Sequence, residues 1–159
     1  MTRLLVFIIL SLSFAVSGQA QKVHRAAKAM YELKFDKSFE LFDEVLEKEP
    51  ENVIALVGFA KARLRENELK KNPIPLEILQ HCYDNLLKGK SGLQNIKEDD
   101  AKLLMIDLRV FNAKSIDTLL EHTSNLIWNY YIKEEKSISK FEFFQANYYK
   151  DNLQNPARL

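Results

Sequence analysis

Apolar and small residues recur at intervals of three and four along most of this chain, the period of helices with one buried face. From Lys22 to Leu33 they fall at Val23, Ala26, Ala27, Met30 and Leu33, which predicts a first helix. A second, Lys37 to Lys48, turns Phe39, Phe42, Val45 and Leu46 inward and Glu40, Asp43, Glu44 and Glu47 outward, with Asp36 as the expected N-cap. Pro50 cannot continue a helix and restricts the residue before it, so Glu49 to Asn52 is a turn and Asn52 caps a third helix that ends near Leu69.

Beyond that point the pattern is stretched. Arg65 to Lys71 is highly charged, and Asn72-Pro73-Ile74-Pro75 breaks any helix before a fourth begins at Leu76 and runs to Lys88 on Leu79, Tyr83 and Leu86. Gly89-Lys90-Ser91-Gly92 is expected to stop it. Asp99 or Asp100 opens a fifth, with apolar stripes at Ala101, Leu104, Leu108 and Phe111 and at Leu103, Ile106 and Val110, so neighbours cover it on two sides. Ser115 is the expected cap of a sixth, which carries Ile116, Leu119, Leu120, Thr123, Ile127, Tyr130 and Tyr131. Ser139 and Glu142 form a capping box for a seventh, with Phe141, Phe144, Gln145 and Tyr148 on one side. Trp128 and Phe143 fall off their stripes and are candidates for a binding patch.

The segment from Val23 to about Ala62 resembles a tetratricopeptide repeat and the opening of a second. Val23-x2-Ala26-Ala27-x2-Met30 fills the first helix of that pattern, Ser38-x3-Phe42 the second and Pro50 the turn. Leu56-x2-Phe59-Ala60 restarts it, and Ala27 and Ala60 lie 33 residues apart against a family period of about 34. Small residues at Ala27, Ser38 and Ala60 are where paired helices must approach closely. The resemblance implies an all-α fold, a short right-handed α-solenoid of antiparallel helical hairpins with about seven helices, built to hold protein or peptide partners. It also implies a concave surface lined by Tyr31, Val57, Lys61, Leu64 and Arg65, in which Lys61 and Arg65 are one turn apart and suited to an acidic group.

The amino terminus changes the picture of where this fold works. Arg3 precedes an apolar run from Leu4 to Val16, and Ser17, Gly18, Gln19 and Ala20 supply the small residues of a peptidase site, so residues 1–20 read as a secretory signal cut after Gly18 or Ala20. The run is shorter than the roughly 20 apolar residues of a membrane span, so no stable span is expected after cleavage. The compartment expected is the periplasm or the exterior. Residues 21–92 then form the repeat-like hairpins, 93–152 a helical C-terminal part and 153–159 a disordered tail. Only 4 Gly and 4 Pro in 159 residues leave few turns for an all-β design. Arg3 is the sole charged side chain among residues 1–20, so its removal takes the formal charge from +1 to zero, which argues against a nucleic-acid partner.

Candidate chemistry is sparse. Gly89-Lys90-Ser91 looks like the end of a phosphate loop, but such a loop needs glycine where Asp84 stands and must follow a strand. Cys82 shares a helical phase with Leu79 and Leu86 and reads as a small buried hydrophobe; His24, His81 and His122 have no metal spacing. No catalytic, metal or cofactor residues are therefore expected, and the chain reads as a non-enzymatic interaction module. A carbohydrate or small-ligand binder using the C-terminal aromatics is the alternative.

Overall fold

The computed structural model describes residues 18–96 and 112–133, and all of its regular structure there is helical. Helix α1 covers residues 18–31, α2 Phe35–Leu46, α3 Val53–Lys70 and α4 Leu76–Ser91; a short 3-10 turn follows at Leu93–Asn95, and α5 is Ala113–Lys133. The helices expected at 99–111 and from Ser139 lie outside the described residues, as do residues 1–17 and the tail. Among the described residues, no helix is long and apolar enough to cross a membrane.

Each helix packs on the next. The Ser38 hydroxyl of α2 donates to the carbonyl of Ala26 in α1 at 3.0 Å, and Lys22 pairs with Glu44 across the same seam. The packing continues from α2 to α3 and from α3 to α4, and α5 lies along α4 with a lighter touch on α3. Lys90 near the end of α4 reaches Asp117 near the start of α5 at 2.7 Å, so these two helices also run antiparallel. Helix α3 is the centre of the array. Its buried residues, Val53, Ala55, Leu56, Val57, Phe59, Ala60, Ala62 and Leu64, go round most of its circumference because neighbours flank it.

Three local rules fix the helix ends, and two differ from the sequence expectation. The Asn52 side chain accepts the Ala55 N–H at 3.0 Å, the expected cap, which stabilises α3 by about 1 kcal/mol. Helix α2 instead begins at Phe35 with Lys34 as an N-cap that offers no side-chain acceptor, so Asp36 lies inside the first turn. The cap of α5 is Asn112: it accepts from the Ser115 N–H while Ser115 Oγ accepts from the Asn112 N–H, both at 3.1 Å, so Ser115 is the reciprocating partner. Leu33 and Lys71 end α1 and α3 with φ of 61° and 56°, a conformation glycine adopts more easily. Leu33 therefore lies outside the first helix and is exposed.

Two glycines set the helix spacing. A Cβ on Gly58 of α3 would meet the Phe42 ring of α2, 2.6 Å from Cε1, and one on Gly89 of α4 would lie 2.6 Å from Val57 Cγ2 of α3. Gly89 is thus a notch inside α4, and the helix continues to Ser91; the expected stop at Gly89 is corrected to Gly92. Of the expected small contact residues, Ser38 and Ala60 are buried, whereas on α1 the fully buried alanine is Ala26, with Ala27 half-buried.

Candidate functional site

The central position of α3 decides which of the expected groove residues reach the surface. Val57 and Leu64, expected to line a concave face, are 3% and 2% exposed and belong to the core; Val57 fills the Gly89 notch. Lys61 is exposed, and Arg65, one turn later, places its guanidinium 5.8 Å from the ring centroid of Tyr31, which is itself 61% exposed. At that range the ring face attracts the cation, so the C-terminal part of α1 and the middle of α3 share one surface. Farther along α3, Glu68 lies 3.8 Å from His122 of α5. Trp128 is half-buried and packed against the core, and Phe143 lies outside the described residues.

The antiparallel order brings the C-terminal ends of α1, α3 and α5 to the same end of the molecule. Three contacts establish this: Tyr31 with Arg65, Lys70 with the Phe35 ring at 5.5 Å, and a hollow of about 440 Å³ shared by the ends of α3 and α5 and the start of α4. The hollow has Lys71, Ile74, Leu79, Leu126, Tyr130 and Lys133 among its lining residues. Its volume falls within the range of about 300–1,000 Å³ typical of ligand pockets. All five large apolar side chains that remain exposed among the described residues, Tyr31, Leu33, Leu69, Tyr130 and Ile132, lie at this end. Single exposed apolar residues are common, but their confinement to one end is the signature of a contact surface. Residue spacing alone does not reveal this cluster, because its members lie about a hundred positions apart and only the alternation of helix direction gathers them. Its one sequence signal is the Tyr130 edge of the sixth apolar stripe.

A polar cluster occupies the opposite flank of α3. Arg63 stacks with its guanidinium carbon 3.5 Å from the Phe39 centroid and 5.3 Å from that of Phe59, while His81 meets Phe59 edge-on at 5.5 Å. Partial burial raises the Asp43 carboxyl above its ordinary value, and the nearby Arg63 and His81 act in the other direction. These contacts tie α2, α3 and α4 together, and cation–π packing accounts for them without a reaction.

Cys82 is fully buried, and desolvation pushes its thiol up to about 12. A thiol reagent should therefore label the native protein slowly at neutral pH and rapidly in denaturant; equal rates would contradict the burial. Because the folded pKa is raised, this group's contribution to stability is whole below about pH 8.5, the unfolded value, and is lost progressively towards about 12. Among the described residues, no three His, Cys, Asp or Glu side chains are grouped to hold a metal ion.

No protein-family model, curated protein or solved structure matches this chain.

Proposed function

We propose that this chain is an exported, non-enzymatic module of tetratricopeptide-like helical hairpins, arranged as a short right-handed solenoid, that binds a protein or peptide partner. The observation that carries this reading is the collection of Tyr31, Leu33, Leu69, Tyr130 and Ile132 at one end of the array, beside the hollow between α3, α4 and α5. Aromatic and apolar side chains of this kind dominate the energetics of protein contacts. Arg65 and Lys61 flank Tyr31 with positive charge, and Lys71 and Lys133 line the hollow, so acidic groups on the partner are favoured around an apolar centre. Helical hairpins that pack in sequence present such a surface with little rearrangement on binding.

A carbohydrate site centred on Trp128 is less well supported, because that ring packs against the core and is not a free stacking platform. An enzyme is disfavoured on its chemistry: the buried thiol of Cys82 stays protonated, and the Asp43, Arg63 and His81 cluster is engaged in packing. Affinity capture with crosslinking of the tagged mature protein from its own cell envelope, set beside a glycan array, tests the reading. Recovery of a protein partner with a silent array is expected; a bound glycan without a protein partner would overturn it.

A further inference from the structure

We propose that the mature chain begins at Gln21 and that this glutamine closes to pyroglutamate, a reading that rests on the export proposed above. Gly18-Gln19-Ala20 places small residues at the first and third positions before the bond to Gln21, the arrangement a signal peptidase requires. Helix α1 runs across this bond, over residues 18–31, so cleavage precedes its folding.

The packing of α1 fits a chain that starts there. Its deep anchors are Val23 and Ala26, the latter held through its carbonyl by the Ser38 hydroxyl, and Lys22 is clipped to Glu44 of α2. A chain beginning at Gln21 keeps all of these contacts. It also loses Gln19, whose side-chain oxygen Oε1 is buried without a hydrogen-bond partner beside a hollow of about 180 Å³. An orphaned buried acceptor is unfavourable, so removing residues 19 and 20 relieves the fold.

Gln21 itself is exposed, and its side chain has no core packing to give up when it bends back on its own amine. In the closure, the unprotonated α-amine attacks the side-chain amide carbon. A new amide bond forms to the α-nitrogen, the bond to the side-chain nitrogen breaks, and that nitrogen leaves as ammonia carrying the amine's proton. No oxidant, reductant or co-reactant is consumed. The product has no ammonium at the start of α1, where the positive end of the helix dipole disfavours a cation. Glu49 and Glu51 line the adjacent hollow and would favour the open form, but Glu49 already accepts the Asn52 side-chain amide at 2.8 Å.

The test is intact-mass measurement and N-terminal sequencing of the full-length precursor after export in its own cells, purified through a C-terminal tag. The expected product is residues 21–159 plus the tag, less one ammonia, blocked to sequencing and reading from Lys22 after treatment with pyroglutamyl aminopeptidase. A Gln21→Ala variant should read directly from its new first residue. A free amine on Gln21 overturns the closure and leaves export standing, a start at Gln19 overturns the assigned bond, and a retained Met1 overturns both the inference and the export reading.

Discussion

Phe42→Ala is expected to lower the unfolding free energy by about 3–5 kcal/mol in a denaturant titration, a large share of the roughly 5–15 kcal/mol that holds a domain together. The Phe42 ring is 1% exposed and fits over Gly58, the one position on α3 without a side chain to block it. The same geometry makes Gly58→Ala informative. Alanine gains about 1 kcal/mol of helix propensity over glycine, yet its Cβ must enter space held by a buried ring, an overpacking that costs about 1–3 kcal/mol. A net loss is therefore expected. Combining it with Phe42→Leu should cost less than the two single changes together, because the smaller side chain vacates the contact. Strict additivity would show that the ring does not occupy the glycine notch.

The second large effect is expected across the next seam. Gly89→Val places a branched side chain against Val57, whose Cγ2 lies 2.6 Å from the position of the first added carbon. Val57 has little rotamer freedom with which to yield, and Val53 makes a similar contact over Gly92. A loss of about 1–3 kcal/mol is expected, read as a lower denaturant midpoint with an unchanged slope. Val57→Ala in the same chain should recover part of it. Unaltered stability of Gly89→Val would mean that α3 and α4 are not held at this distance.

These two notches also show where residue patterns cease to inform. Periodicity identifies the helices at 35–46, 53–70, 76–91 and 113–133 because each buries a stripe against something, and a stripe is visible without knowing what covers it. Asn52 is equally visible, since a cap is a local matter. Gly89 is different: within its own helix it looks like a stop, and only Val57 from another helix makes it a contact. The same reason displaces Val57 and Leu64 from surface to core. A groove rule taken from a repeat pattern assumes that α3 has a free side, but α2, α4 and α5 all pack on it. Arg65 and Tyr31 meet because they lie on the side of α3 that α1 borders, and the hollow beside Tyr130 needs three chain segments to be assembled before it exists.

The most direct measurement compares crosslinked capture from the cell envelope by the native protein and by a Tyr31→Ser, Leu69→Ser, Tyr130→Ser variant. All three side chains are exposed, so the variant should unfold at nearly the same temperature, each change falling within about 0.5 kcal/mol. The apolar end predicts that the native protein retains a specific partner and that the variant loses it at least tenfold. Equal capture by an equally stable variant would contradict the assignment of this surface to partner binding.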